Sequence, residues 1–285
     1  MSEQQPRFYK IMLMILPVGV VVGTIVFMFM YFYMEREDER NHAVIASYGM
    51  RLDDLDDMVG KFTDRIGQRG HTTEQGRGGL KQTAATIEGR LGPQNVGYPV
   101  KKGEGEAIDG LLWKSLWVDL TGTSEPDQVV LAAVSYAGAG EVADGNALST
   151  MMMLASSMAR EKPAKTIRFV FLPLNQSPEQ QNRWLRDRCV GAGETCIGIV
   201  GLKTMTAAPQ AGGEDWEVVA PSEKDQLWWR YLSAAGTVPD QEEVSVWISS
   251  SVFSSQAWKD RRSDRLQRTL KEAKKIENWL RRAAK

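Results

Sequence analysis

A chain of 285 residues, 42% hydrophobic and 25% charged, has enough apolar material for one sizeable core with peripheral elements, which excludes a disordered protein. The formal net charge is −1, so no global basicity points to nucleic acid, and no zinc-finger, RNA-binding or helix-turn-helix pattern supplies a reason to expect it. The charge is unevenly placed: residues 259–285 hold 11 Lys and Arg against 4 Asp and Glu, and the first 258 residues hold 24 against 32.

Residues 1–10 read as a short tail. Ile11 to Met34 is an uncharged, mostly apolar run; at about 1.5 Å per residue a helix of that length reaches about 36 Å, enough to cross a bilayer core of about 30 Å with some tilt. A transmembrane helix is therefore predicted over 11–34. A cleaved signal peptide is the competing reading, but the run exceeds an ordinary signal core and no small-x-small site precedes the charged stretch Glu35 to Arg40. Tyr9 at one end and Tyr31, Phe32 and Tyr33 at the other suit the two interfaces, and Pro17 is expected to kink the helix. Gly19 and Gly23 form a GxxxG pair, a spacing that lets a second helix approach closely, so a membrane-embedded partner or a second copy is expected there. Arg7 and Lys10 on one flank balance Arg36 and Arg40 on the other. The free amine and the acids after the run then favour a cytoplasmic N-terminus, which makes this a single-pass protein of a bacterial inner membrane with a periplasmic main domain.

After the membrane run, Val44, Ile45, Tyr48, Leu52, Leu55, Val59 and Phe62 recur at helical spacing and predict a stalk helix over 35–65 that merges into the domain. Asp53, Asp54, Asp56 and Asp57 lie around its polar side and read as a solvated face, since no calcium-loop pattern surrounds them. Gly67 to Gly79 reads as a loop, followed by a helix from Leu80 to Leu91 that stops at Gly92 and Pro93. Asn95–Lys101, Leu112–Leu120 and Val129–Ser135 read as strands, then a Gly-rich loop from Ala137 to Asn146, a helix from Ala147 to Arg160 and a strand from Thr166 to Leu172.

Ser177-Pro178-Glu179-Gln180 is a capped helix start, and that helix should run to Arg188. Cys189 and Cys196 flank the loop VGAGET; a disulfide closing that ring and two free thiols both fit, because spacing does not fix the Cα geometry. Strands at Cys196–Leu202, Trp216–Val219 and Val244–Ser250, a helix from Ser222 to Gly236 and a long helix from Ala257 to Ala284 complete the chain. The last helix carries Leu266, Leu270, Ala273, Ile276 and Leu280 on one stripe, with Arg and Lys over the rest. The stripe suits packing on the domain, and the basic remainder suits anionic lipid or an acidic partner. Alternating strands and helices predict an α/β three-layer sandwich with a largely parallel central sheet, its domain over 66–255 and a basic C-terminal helix over 256–285.

Familiar catalytic motifs do not survive inspection. Gly138 to Ala143 satisfies G-x-G-x-x-A, but Asp144-Gly145-Asn146 intervenes before the helix and the next strand ends in Leu174-Asn175 rather than an acid. No G-x-S-x-G elbow, Walker A loop or HExxH occurs, and Ser135 has no histidine near it in sequence to act as a base. The two histidines, His42 and His71, read as solvated helix or loop residues.

The segment QVVLAAVSYAGAGEVADGNALSTMMMLASSMAREKPAKTIRFVFLPLNQ, residues 128–176, resembles the co-catalytic di-zinc aminopeptidase family, whose relatives include glutaminyl cyclases, the transferrin receptor ectodomain and nicastrin. The resemblance extends over Leu52 to Phe253, with Ile66–Arg69 similar to an Ile-Gly-x-Arg element of that family. Where the family has His-x-Asp this chain has Ser135, Tyr136 and Ala137. The family's Asp-Asp-Asn corresponds to Asp144, Gly145 and Asn146, and its Glu-Glu pair to Asn175 and Gln176. A later metal-binding Asp corresponds to Lys203 or Thr204, and Ser-Asp-His to Ser249, Ser250 and Ser251. Zinc in hydrolytic sites is held by imidazole, carboxylate or thiolate. The resemblance therefore implies the fold with neither metal nor cofactor: a catalytically inactive, membrane-anchored aminopeptidase-like protein acting through protein contacts, as an accessory or scaffold subunit. The alternative is a vacated cleft in which Ser135, Asp144, Asn146, Asn175 and Gln176 bind a peptide end or a sugar. A residual hydrolase has no nucleophile or base to name.

Overall fold

In the computed structural model of the chain, residues 16, 20–33, 49–108, 111–138, 145–204, 216–219, 244–250 and 262–285 are described. Two compact units divide the chain, Met1–Ser47 and Tyr48–Lys285. In the first, residues 20–33 form helix α1 with every side chain exposed, Phe27 and Phe29 among the most exposed at 73% and 74%. Among the described residues no helix is long and apolar enough to cross a membrane. The span expected over 11–34 runs onto residues outside that set, and Pro17, Gly19, His42 and the first part of the stalk, 35–48, lie outside it. Gly23 lies in α1 with open space around its Cα.

In the second unit the elements are α2 (Leu52–Gly60), a π-helical turn (Lys61–Ile66), α3 (Glu74–Leu91), β1 (Lys101–Ile108), β2 (Leu111–Leu120), β3 (Glu125–Ser135), α4 (Asn146–Met158), β4 (Lys165–Leu172), α5 (Pro178–Cys189), β5 (Thr195–Thr204), β6 (Trp216–Val219), β7 (Val244–Ser250) and α6 (Arg262–Ala283). The sheet has seven strands in the order β1-β2-β4-β3-β5-β7-β6. Its centre, β4-β3-β5-β7, is parallel, while β1, β2 and β6 are added antiparallel.

The apolar run of β3 is continuous because both faces of that strand are covered. Val130, Ala132 and Val134 join a core with Phe62, Ile87, Met152 and Leu280, drawn from α2 or its continuation, α3, α4 and α6. Val129, Leu131 and Ala133 join Leu185, Cys189 and Trp247 on the α5 side. The expected three-layer α/β sandwich with a mostly parallel sheet is therefore present, and α2 and α6 are parts of its larger helical layer. The helix α4 is buried almost throughout, its consecutive Met151, Met152 and Met153 supplying unbranched side chains that fill an irregular gap.

Several boundaries differ from expectation for local reasons. The helix α3 starts at Glu74, capped by the Thr73 hydroxyl, which accepts from the Gly76 amide at 3.0 Å. Residues 95–100 are not a strand: they turn around Gly92, whose carbonyl accepts from the Asn95 and Gly97 amides at 3.0 Å, and Gly97 has φ 102°. The stalk helix continues past Gly60 as a π-turn and stops at Gly67, φ 75°. The helix expected from Ser222 lies outside the described residues. The capping box at Ser177 and Gln180 forms as expected.

Of the two alternatives for Cys189 and Cys196, the structure has both thiols free. The loop between them is closed by other means. Glu194 accepts from the Gly191 amide at 2.7 Å, and the buried Arg168 guanidinium donates to Glu194 at 2.7 and 2.9 Å, to Asp119 at 2.7 and 3.2 Å, and to the Cys189 carbonyl. These bonds hold the Glu194 carboxyl below its usual range, and they hold the Arg168 guanidinium above its own, outweighing the opposing effect of burial.

Candidate functional site

The connection after β3 leaves through α4 on one face of the sheet, while that after β4 leaves through α5 on the other. The chain thus switches faces at the C-terminal ends of the parallel strands, the position at which open α/β sheets form their ligand crevice. Ser135 pairs with Leu172, and Val134 with Leu202, so Lys203 lies level with Ser135; Lys203 in turn pairs with Ser249. Asn175 and Gln176 follow β4, and Asn146 opens α4. The fold thus gathers Ser135, Asn146, Asn175, Gln176 and Lys203 around one strand edge. Asp144 and Ser251 lie outside the described residues.

Ser135, Gln176 and Lys203 are engaged within the fold. The Ser135 hydroxyl is turned back on its own main chain, 3.1 Å from both the amide and the carbonyl of Ala137. Tyr136 is 1% exposed; its hydroxyl donates to the Lys114 carbonyl at 2.8 Å, and burial pushes its phenol well above the usual value, with Glu88 adding to the effect. Lys203 donates from Nζ to the Gln176 carbonyl at 3.0 Å. Burial lowers the Lys203 ammonium below its usual value, against the pull of Glu179. The Oδ1 of Asn175 is buried and has no hydrogen-bond partner.

Gly145, the residue before α4, is in close contact with the end of α2 and its continuation. A Cβ built there would lie 2.6 Å from Phe62 Cβ and 3.1 Å from both the Val59 carbonyl oxygen and Thr63 Oγ1. The position has no room for a side chain unless α2 shifts.

Two residues outside the expected set help to build the crevice. Arg69 is 2% exposed; it donates to the Tyr136 carbonyl at 3.1 Å, to Phe62 at 2.6 Å and to Gly67 at 3.2 Å, while its own carbonyl accepts from Gly138 at 2.7 Å. His71 is not a solvated loop residue. Its Nε2 lies 2.9 Å from the Pro173 carbonyl, and its ring meets Trp113 edge-on with centroids 5.1 Å apart. A carbonyl only accepts, so Nε2 is the donor, and the buried Nδ1 has no hydrogen-bond partner. The signal for both residues was the Ile66–Arg69 element, whose downstream neighbour is His71.

Among the described residues no three His, Cys, Asp or Glu side chains come together in a group able to hold a metal ion. The four acids of α2 are exposed or half-buried, and three of them engage arginines: Asp56 with Arg262, Asp57 with Arg65 at 2.6 Å and Asp53 with Arg51 at 3.5 Å.

No protein-family model matches the sequence, and no curated protein matches it. Solved structures do. A Bacteroides vulgatus protein assigned as a Zn-dependent exopeptidase superposes with a TM-score of 0.50 at 13% identity, over 83% of this chain and 96% of that one. Legionella LapA superposes with a TM-score of 0.51 at 12% identity, over 88% of this chain and 77% of that one. At such identities the likeness is one of fold alone, and the chain shares the fold of those two proteins.

Proposed function

We propose that this protein is a catalytically inactive, membrane-anchored, aminopeptidase-like protein that works through protein contacts, as an accessory or scaffold subunit of a membrane complex. The observation that carries the reading is Gly145. It stands where the resembled family has a carboxylate bridging two metals, and the end of α2 and the π-turn after it fill the space such a side chain would need. The surrounding groups agree with it. Zinc requires imidazole, carboxylate or thiolate donors, whereas the crevice offers the Ser135 hydroxyl, the Asn175 and Gln176 amides and the Lys203 ammonium, whose charge opposes a bound cation. These residues do not fit a di-metal centre, and no hydrolytic step is derived from them.

Anchoring is supported by α1, which exposes apolar side chains all round, the pattern of a segment meant for a membrane. In this reading the span is 11–34, the N-terminus is cytoplasmic and the unit Tyr48–Lys285 is periplasmic.

The test is metal analysis of the full chain, purified in detergent without chelator, together with an aminoacyl-arylamide assay. Zinc well below one equivalent and no turnover are expected. Stoichiometric zinc, or turnover lost in Asp144→Ala, would overturn the proposal. For the contact itself, Gly19→Leu with Gly23→Leu is expected to dissociate the native complex on a blue-native gel, and an unchanged complex counts against packing through that face.

A further inference from the structure

The helix α6 spends its apolar side entirely on the domain. Leu266, Ala273, Ile276, Trp279 and Leu280 are buried in the main core, and Glu277 is turned inward to accept from Ser157 at 2.9 Å and Arg281 at 3.0 Å. Arg281 is further engaged by Glu161. Exposed on its outer side are Arg268, Lys271, Lys274 and Lys275, within eight consecutive residues, and Lys285 at the end of the chain, against one exposed acid, Asp264, in the first turn. Glu272 is half-buried and paired with Lys275 at 2.6 Å. The strip is held firmly, because the Ala284 carbonyl accepts from the Ala164 and Lys165 amides at 2.9 and 3.0 Å.

Resting on the membrane-anchored reading above, we propose that this face of α6 is a docking surface for the anionic phospholipid headgroups of the bilayer. Three observations select that occupant. With its apolar stripe consumed, α6 has nothing to insert into a hydrophobic groove of a protein partner. The one aromatic residue of α6, Trp279, is 1% exposed, so no ring is available for the base stacking that accompanies basic grooves in single-strand binding. The rest of the chain is acidic, so an anionic surface attracts this side of the unit and repels the remainder. Cations near an anionic leaflet each strengthen binding roughly fivefold, and the attraction is screened within about 10 Å at ~0.1 M salt.

The experiment places the full chain in nanodiscs of phosphatidylcholine alone or with phosphatidylglycerol, and follows lysine acetylation by mass spectrometry. Lys271, Lys274 and Lys285 are expected to react at least threefold more slowly in the anionic discs. Lys81 and Lys114, exposed on α3 and β2, serve as references; the protection should vanish at ~1 M salt, and that of Lys285 should vanish in Lys271→Glu with Lys274→Glu. Equal rates in the two lipids, or protection that survives high salt, overturn the proposal. If the chain does not enter nanodiscs, the anchored reading fails separately. Flotation with vesicles of the same two compositions then decides the α6 surface, where anionic-lipid-dependent binding supports it and its absence overturns it. Retention on heparin without vesicle binding also overturns it, in favour of a polyanionic macromolecule.

Discussion

At Gly145 a single methyl group would overlap Phe62 and crowd the Val59 carbonyl. Gly145→Ala is therefore expected to destabilise the domain by about 1–3 kcal/mol, the usual range for overpacking, read from the urea midpoint. An unchanged midpoint would mean that α2 yields freely and that the position can accept a carboxylate. The Arg168 cluster has a pH signature. Glu194 has a folded pKa lowered from 4.5, so its contribution is fully present above about pH 4.5 and is lost as the pH falls through the lowered value. Arg168→Met should cost about 3 kcal/mol at neutral pH, since it leaves Asp119 and Glu194 without their partner, and should flatten the acid limb of the stability profile. The two thiols are also distinguishable. Burial pushes Cys189 up to about 12, so in the native protein iodoacetamide should modify the half-buried Cys196 first, with Cys189 reacting only after denaturation. A disulfide-linked peptide in the digest would contradict this.

Among the elements, the central strands were legible because their signal is local: an unbroken apolar run in β3 and β4 states that both faces are covered. The start of α5 was legible for the same reason, since a capping box lies within four consecutive residues. The start of α3 was not. Gly76 and Gly79 read as loop formers, yet they sit in a helix because Gly70 and Gln68 press against them; a Cβ on Gly76 would lie 2.7 Å from the Gly70 carbonyl oxygen. Close approach looks the same as flexibility in a one-dimensional sequence. The crevice divides in the same way. Ser135, Asn175, Gln176 and Lys203 could be placed by counting along strands, whereas Arg69 and His71 enter it only because the loop after α2 runs back across the ends of β3 and β4, a contact between residues 67 to 102 positions apart.

For the molecule as a whole, the two compact units set the expectation for fractionation. The full chain should stay with membranes through alkaline carbonate, while residues 48–285, which contain every buried core side chain among the described residues, should remain soluble and unfold in one cooperative transition. Release of the full chain by carbonate would remove the anchor from the proposal. The ion pair between Asp56 and Arg262 joins α2 to the start of α6 across 206 residues. A seam closed over so long a stretch of backbone is expected to form after the local βα units have condensed, because the entropy of the intervening loop must be spent before the contact returns anything. Arg262→Ala should then accelerate unfolding about two- to fivefold in stopped-flow experiments and leave the refolding rate nearly unchanged, so that this seam is a late fastening whose loss shortens the lifetime of the native state.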